Sequence, residues 1–341
     1  MLDIILTFLW AFLVALFAVP SIISVAHTKS LLDRPNHRTI HRSLTPRLGG
    51  LAIFAGFMSA LTIFGTLSQG VQQLLAGCLI IFFLGVKDDL VSVSALKKFF
   101  VQILAGGIVM VIGKVKITSF QGILGIYELE PEISFVFTFL VIIGITNAIN
   151  LLDGMDGLAG TVILVVSLVF GSYFYYYNNV YSYAAFALAG GSLGFLKFNI
   201  HKARIFMGDT GSLVSGFILS VLAIEFVEMK IVDSAPALAV GILILPIFDT
   251  LRVFSIRVFN GKWPFHPDRN HLHHKLLALR LSQLTVLAIM VSTNLLVIGF
   301  MFIFSSLGNF QLLLITLIFA VFISLLLGYL VKEEKEDVIN A

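Results

Sequence analysis

The chain has little of what stabilises a soluble or secreted protein. Cys78 is the only cysteine among 341 residues, which excludes a framework of intramolecular disulfides. Charged residues make up 12% of the sequence, about half of the ~25% typical of soluble domains. Apolar residues make up 58%, which excludes a disordered chain, and a net charge of +3 is too small to indicate nucleic-acid binding. These absences leave an integral membrane protein.

Long apolar runs predict about 11 transmembrane helices, because each crossing of the bilayer needs ~20 residues. The runs are continuous rather than alternating, which favours helices over a strand barrel. They cover residues 2–22, 48–67, 71–86, 99–113, 133–149, 158–177, 181–198, 211–227, 235–254, 284–304 and 310–331. We therefore expect an all-α polytopic membrane protein with a single transmembrane domain at 1–331 and a short charged tail at 332–341.

The basic residues are distributed unequally between the loops. Of 22 Lys and Arg, only Lys114, Lys116 and Lys230 follow even-numbered runs, and the remaining 19 lie beside odd-numbered runs or in the tail. The positive-inside rule then places the N-terminus outside and the tail in the cytoplasm. All dense polar motifs fall in the predicted cytoplasmic loops, which predicts an active site on that face.

The first acidic motif is Lys87-Asp88-Asp89-Leu90, which directly follows the third apolar run. Two adjacent carboxylates near the membrane interface are costly and usually functional. Their repulsion raises one pKa unless a cation is present, so a divalent metal or a basic partner is expected. A simple loop at the end of a span is the alternative.

The second acidic motif is NAINLLDGMDGLAG, in which Asn147, Asn150, Asp153 and Asp156 are spaced by three. If this segment is helical, the four side chains share one broad face. They suit a hard cation with oxygen ligands or a nucleobase with hydrogen-bond donors. Asx turns and a helix N-cap are the structural alternative.

Two further carboxylates stand alone. Asp209 in FMGDTGS lies at the predicted start of a span, where it suits either an N-cap or a phosphate site. Asp249 lies inside an apolar run, so a partner is expected, and Arg252, Arg257 or a bound ligand could serve.

The basic motifs suit phosphate. The segment 34–50 contains Arg42 and ends in TPRLGG, and binding of anionic lipid head groups is its simplest interpretation. The segment HPDRNHLHHK at 266–275 matches no zinc spacing and has no cysteine nearby, so phosphate binding is favoured over a metal site or a solvated loop.

Carboxylates and basic groups at one membrane interface suit a Mg²⁺-bound phosphate or diphosphate, with one lipid and one water-soluble substrate. An ion-coupled transporter would place its ionisable residues near the bilayer midplane, often in related halves. An intramembrane prenyltransferase would need two separated aspartate-rich motifs, and it gives no role to the histidine-rich segment. Both are weaker alternatives.

The motifs TPRLGG, KDDL, NAINLLDGMDGLAG, FMGDTGS and HPDRNHLHH, in that order, resemble the polyprenyl-phosphate N-acetylhexosamine-1-phosphate transferases of the MraY/WecA type. The last motif is closer to the WecA and teichoic-acid-initiating branch than to the peptidoglycan branch. The resemblance implies transfer of a sugar phosphate, GlcNAc-1-phosphate first, from a UDP-N-acetylhexosamine to undecaprenyl phosphate. It further implies release of UMP, a requirement for Mg²⁺ with Mn²⁺ as a substitute, and residence in the bacterial cytoplasmic membrane.

The resemblance also implies residue roles. Asp88 and Asp89 position or activate the lipid phosphate, and Asp209 binds the metal with Asn150. Asp153 and Asp156 lie in the nucleoside pocket. Lys98 contacts a phosphate, and Arg42 lies near the nucleoside. The sugar-diphosphate is held by Arg269, His271, His273 and His274.

One departure bears on the chemistry. The family's acidic motif is often DDxxD, whereas Ser92 stands at its last position here, which favours a metal on Asp209. A phosphate monoester is mostly ionised at pH 7, which favours direct attack by the lipid over a covalent phospho-aspartate at Asp88 or Asp89. The sugar epimer, the polyprenyl length, the pathway and a homodimer remain open.

Overall fold

The computed structural model describes residues 1–32, 44–68, 70–232, 234–263, 268 and 270–340, with side chains as far as residue 334. The described chain forms two compact units, Met1–Ser119 with Leu129–Met229, and Phe120–Glu128 with Lys230–Ala341. The regular structure of their described residues is helical apart from one short hairpin. The prediction of an all-α membrane protein is confirmed.

The described part of the first unit contains eight helices. They are α1 (Leu2–Thr28), α2 (Gly49–Phe64), α3 (Val71–Leu90), α4 (Ala95–Gly107, continued by a π-helical turn at Ile108–Ile112), α5 (Pro131–Leu152), α6 (Leu158–Tyr176), α7 (Tyr181–Asn199) and α8 (Gly208–Glu228). Helix α8 is apolar on all sides and is almost wholly buried, as expected for the central helix of a bundle. Helices α2, α3 and α5 pack around it.

The second unit contains β1 (Ser119–Ile123), which starts at the unit boundary, and its partner β2 (Ile126–Glu128). Its helices are α9 (Ala235–Ile242), α10 (Ile244–Phe259), α11 (Leu272–Ala278), α12 (Gln283–Ile303) and α13 (Asn309–Asn340), with a 3₁₀ turn at Ser305–Leu307. Asn309 tethers α13 to this unit, because its side chain accepts from the Ala237 backbone and donates to the Gln121 carbonyl.

All eleven apolar runs are helical, but they are not equally able to cross a membrane. Eight helices in the described residues are long and apolar enough, and a bent pair makes up to nine. Helix α2 has only 16 residues, and α7 is not among the eight. The prediction of about eleven spans therefore stays a prediction.

The run at 235–254, predicted as one span, is broken at Leu243, where α9 and α10 meet at 78°. Pro246 explains the break. Its nitrogen has no hydrogen to donate, and its ring collides with the carbonyl four residues earlier, at Ile242, where α9 ends. The break allows the chain from Ile244 onward to take a new direction.

Candidate active site

The start of α8 is bonded to the TPRLGG segment through backbone groups. Phe206 donates to the Pro46 carbonyl at 2.8 Å, and its own carbonyl accepts from Gly49 at 2.9 Å. The Met207 carbonyl accepts from Gly50 at 2.8 Å. These bonds fix the loop before α8 to the beginning of α2. The TPRLGG motif therefore supports the position of Asp209.

Glycines let the backbones of α2 and α8 meet. A Cβ on Gly50 would lie 2.1 Å from the Gly211 nitrogen, so no larger residue fits. Gly208 has φ +74°, and a Cβ there would lie 2.1 Å from the Arg47 carbonyl oxygen. The close approach leaves little freedom for the first turn of α8.

Asp89 closes the N-terminal end of α8. Its Oδ1 accepts from the Asp209 backbone at 2.7 Å, and its Oδ2 accepts from the Thr210 backbone at 3.0 Å and from the Thr210 hydroxyl. An N-cap satisfies backbone donors that have no partner inside the helix, and a carboxylate also favours the positive end of the helix dipole. Here the cap comes from α3. Asp89 thus fixes the residue next to it in space, Asp209.

Lys98 links two of the predicted carboxylates. Its ammonium forms an ion pair with Asp88 and donates to Asp209 Oδ2 at 2.9 Å. The other Asp88 oxygen accepts from the Val93 backbone. The Asp88 side chain is only 6% exposed, whereas those of Lys98 and Asp209 are 23% and 29% exposed. The open part of the cluster is therefore Lys98 and Asp209.

Asn150 approaches the same carboxylate from α5. Its amide nitrogen lies 2.6 Å from Asp209 Oδ1 and 2.8 Å from the Ser212 hydroxyl. One turn away, Asn147 and the buried Gln102 exchange hydrogen bonds between α5 and α4, with the shorter at 2.9 Å. This pair sets the distance between the helices that bear Asn150 and Lys98.

Asp153 and Asp156 lie in the turn between α5 and α6, so the shared helical face predicted for them ends at Leu152. Burial, together with the negative charge of Asp89, raises the pKa of Asp153 to about 7, although its hydrogen bond from Gly208 opposes the rise. One Asp156 oxygen accepts from the Ala203 backbone at 3.0 Å. Asp153 therefore adjoins the start of α8, and Asp156 adjoins the loop before it.

The described histidines of the HPDRNHLHH motif lie in the second unit. His271 is bonded to Asp249, and His273 is buried beside His274, with ring centres 4.2 Å apart. Neither ring nitrogen of His273 has a partner among the described residues. Burial, with the nearby His274 charge, lowers the pKa of His273 to about 3, so the ring is neutral. A ligand would supply its missing partner.

The first unit thus brings together six predicted residues, Asp88, Asp89, Lys98, Asn150, Asp153 and Asp209. Arg42 and Arg269 fall outside the described residues. Sequence reasoning missed three contributors, Arg47, Gln102 and Ser212. The positive charge of Arg47 acts on both Asp89 and Asp153. Its place in TPRLGG was the available signal, whereas nothing in the sequence singled out Gln102.

The cluster suits a hard divalent cation. Asp209 and the Ser212 hydroxyl each lie within hydrogen-bonding distance of the Asn150 amide, so three side chains that carry oxygen meet at this point. Rotation of the Asn150 side-chain amide by half a turn would direct its oxygen, in place of its nitrogen, toward a cation bound at Asp209. No group of three His, Cys, Asp or Glu in the described residues forms a complete metal cage. Mg²⁺ needs no such cage, since it takes one or two carboxylates and completes its shell with water and phosphates.

The sequence also matches a known protein family and several named proteins. The sequence model of glycosyl transferase family 4 matches residues 71–227, which include α3 to α8. A Bacillus subtilis protein named "Probable undecaprenyl-phosphate N-acetylglucosaminyl 1-phosphate transferase" is 32% identical, over 98% of this chain and 92% of its own length. The decaprenyl-phosphate N-acetylglucosaminephosphotransferase of Mycobacterium tuberculosis is 30% identical, over 79% of this chain and 74% of its own.

The undecaprenyl-phosphate alpha-N-acetylglucosaminyl 1-phosphate transferase of Escherichia coli K12 is 29% identical, over 80% of this chain and 75% of its own. The fold and the acidic cluster at the helix ends define a multi-pass membrane enzyme. The chain belongs to glycosyl transferase family 4, and it is a phosphoglycosyltransferase.

Proposed function

We propose that this protein transfers N-acetylhexosamine-1-phosphate, with GlcNAc-1-phosphate as the first choice, from a UDP-sugar to undecaprenyl phosphate. The B. subtilis and E. coli relatives are named for this transfer with N-acetylglucosamine. The observation that supports it here is the position of Asp209, held between Lys98 and Asn150 at the end of a buried helix. A phosphate at this point would meet an ammonium, a carboxylate and an amide together.

We assign the divalent-cation position to Asp209 and Asn150, with Ser212 beside them. Bound Mg²⁺ would offset the negative charge of the diphosphate as the phosphorus–oxygen bond to UMP breaks. Asp89 contributes indirectly, because its bonds to the first turn of α8 hold the Asp209 backbone in place. The cation requirement is part of the proposal.

The residues favour direct attack by the lipid phosphate. A phosphate oxygen of the acceptor forms the new bond to the sugar-bearing phosphorus, and UMP leaves with the bridging oxygen. The acceptor is mostly ionised at pH 7, so little proton removal is needed. Asp88 is 6% exposed and already paired with Lys98, so it is a poor nucleophile and serves to orient the ammonium. Lys98 then offsets phosphate charge.

The turn between α5 and α6 is assigned to the nucleoside. One Asp156 oxygen is bonded to the backbone, and the other can accept from the uracil N3–H. Asp153 is partly protonated near pH 7, so it can donate to a carbonyl or hydroxyl oxygen. We assign His271, His273 and His274 to the sugar-diphosphate, and we place the site on the cytoplasmic face, with the N-terminus outside.

The decisive experiment uses membranes that contain the protein, undecaprenyl phosphate, and radiolabelled UDP-GlcNAc or UDP-GalNAc. We expect a labelled lipid product and equimolar UMP, both lost with EDTA and restored by Mg²⁺. Asp209→Asn should abolish the product. Glu132→Gln is the matched control, because Glu132 is exposed in the first turn of α5, about 27 Å along the helix from Asn150.

Three outcomes would each contradict part of the proposal. Near-normal UMP release by Asp209→Asn at saturating Mg²⁺ would contradict the assignment of the cation to Asp209. UMP formation from the UDP-sugar without any lipid acceptor would favour a covalent intermediate over direct attack. If neither radiolabelled sugar appeared in the lipid fraction, the donor would have to be a different nucleotide sugar.

A further inference from the structure

A buried carboxylate in the second unit is bonded to the histidine-rich motif. Asp249 is 2% exposed and lies in the first half of α10. It accepts from His271 Nδ1 at 2.8 Å, from the Leu272 backbone at 2.9 Å and from Arg252 Nη2 at 3.1 Å. Both carboxylate oxygens are hydrogen-bonded within the protein. Asp249 is therefore engaged with α11 and is not available as a ligand-contacting group.

The bond to His271 determines the state of the imidazole. An ionised carboxylate only accepts hydrogen bonds, so Nδ1 must bear the hydrogen. The other nitrogen, Nε2, is then the one that can contact a ligand. In metal sites, a carboxylate behind a histidine fixes the tautomer and the ring orientation in this way, and removing it weakens function by about 10- to 100-fold.

Asp249 also fixes the beginning of α11. Leu272 is the first residue of that helix, so its backbone donor has no partner inside the helix and is satisfied by Asp249 instead. Because α11 also bears His273 and His274, its orientation sets where those two rings point. The rings of His271 and His273 lie nearly parallel, 18° apart, with centres 5.7 Å apart.

A second ion pair secures the segment before α11. Arg257 donates to both oxygens of Asp268, at 2.9 and 3.0 Å, and Asn270 donates to the same carboxylate. Burial alone would raise the pKa of Asp268, but the bonds from Arg257 and Asn270 outweigh it and hold that pKa well below its usual range. Arg252 also donates to the Asn270 carbonyl. Part of the motif is therefore fixed to α10 and holds the histidines that follow it.

We propose that Asp249 is a positioning residue, which holds His271 in the Nδ1–H tautomer and orients α11 so that its histidines can bind the sugar-diphosphate. The proposal rests on the function proposed above for those histidines. The buried nitrogens of His273, which have no partner among the described residues, indicate that this arrangement is prepared for a ligand.

Asp249→Asn tests the proposal with little change of shape. The amide oxygen can keep the bonds from Leu272 and Arg252, which leaves the amide nitrogen facing His271 Nδ1. Two donors then oppose each other, so the ring must move its hydrogen to Nε2. We expect kcat/KM for the UDP-sugar to fall about 10- to 100-fold, while KM for the lipid phosphate stays unchanged.

A double-mutant cycle separates positioning from general structure. In His271→Asn, the shorter amide can still donate to Asp249, but the group at Nε2 is lost. If Asp249 acts through His271, adding Asp249→Asn to His271→Asn should lower kcat/KM by less than about 3-fold more. Multiplied losses would overturn the proposal. Ser255→Ala, on an exposed position of α10, is the control and should retain full activity.

A measurement without turnover distinguishes this proposal from the proposed function. In protein labelled with ¹⁵N-histidine, the His271 signals, identified by their loss in His271→Asn, should report Nδ1–H in the native chain and Nε2–H in Asp249→Asn. An unchanged tautomer would refute the positioning role, even if transfer is observed. If the native chain transfers no sugar phosphate but the tautomer switches, the proposed function fails and the Asp249–His271 coupling stands.

Discussion

Gly85→Ala should lower the activity about 100-fold, although Gly85 is not among the residues assigned to the substrates or the cation. A Cβ at this position of α3 would lie 2.4 Å from the Thr210 Cα, 2.7 Å from the Thr210 nitrogen and 3.0 Å from the Asp209 carbonyl carbon. These are backbone atoms, which no side-chain rotation can move aside. The ordinary limit for such contacts is about 3.5 Å, so α3 and α8 must separate by about 1 Å.

The expected magnitude follows from that displacement. Overpacking of a close helix contact costs about 1–3 kcal/mol. Misplacement of catalytic groups by about 1 Å can cost about 100-fold in rate. Because Asp88 and Asp89 move with α3 while Asp209 moves with α8, we expect activity to fall more than stability. The pair of measurements is UMP release and the thermal unfolding midpoint in detergent.

Gly144→Ala is the matched control. Gly144 lies in α5, the helix of Asn150, and a Cβ there would have nothing within 4 Å. The variant should be as active as the native chain and about 0.5–1 kcal/mol more stable, because alanine favours helix. If Gly85→Ala kept more than a third of the activity at an unchanged midpoint, the tight contact between α3 and α8 would not be what positions Asp209.

Three further predictions concern the same cluster. Asp89→Asn replaces one hydrogen-bond acceptor by a donor at the start of α8, so it should lower the free energy of unfolding by about 1–3 kcal/mol and lower the activity as well. An unchanged thermal unfolding midpoint would rule out the role of Asp89 as the cap of α8. Lys98→Met leaves the Asp88 carboxylate without its cation and should lower the free energy of unfolding. Because Lys98 is partly exposed, we expect a loss near the lower end of the range of about 3–5 kcal/mol. Adding Asp88→Asn should restore the unfolding midpoint, and a double variant that stays destabilised would contradict a stabilising ion pair. Because Asp153 has a folded pKa of about 7 against an ordinary 3.8, the folded state binds the extra proton, and stability should fall as pH rises from about 4 to 7, by at most about 4 kcal/mol. Asp153→Asn should flatten that slope in melts at pH 5 and pH 8, and a parallel pH dependence in both proteins would contradict the raised pKa.

The amino-acid sequence predicted the helices apart from the break at Leu243, and it singled out the residues that the structure brings together in the acidic cluster. Apolar runs determine where helices form, and the distribution of basic residues predicts that Asp88, Asn150 and Asp209 share one side of the membrane. The sequence did not predict which of these side chains face the open part of the cluster and which only hold others in place. That difference depends on distances between side chains, which are set by how the helices are aligned with one another. Asp89 is the example: two of its three partners are backbone donors 120 and 121 residues away, and no side-chain pattern marks a backbone donor.

The second unit shows the same limit. Asp249 was expected to have a partner because it lies in an apolar run, and Arg252 was among the candidates. The bond to His271 was not predicted, since the break at Leu243 reorients α10, whereas the apolar run predicts one continuous helix. A proline in an apolar run was the available signal, and it marks a break without giving its angle.

The short length of α2 has a consequence for the lipid around it. Sixteen residues extend about 24 Å, which is about 6 Å less than the hydrocarbon thickness of a typical bilayer. For this helix to reach both interfaces, the membrane beside it must become thinner, which costs a fraction of a kcal/mol per ångström. Such a local depression would lower the headgroups of one leaflet toward Gly49 and the first turn of α8. An acceptor anchored by a long isoprenoid tail could then present its phosphate there with the tail still fully immersed.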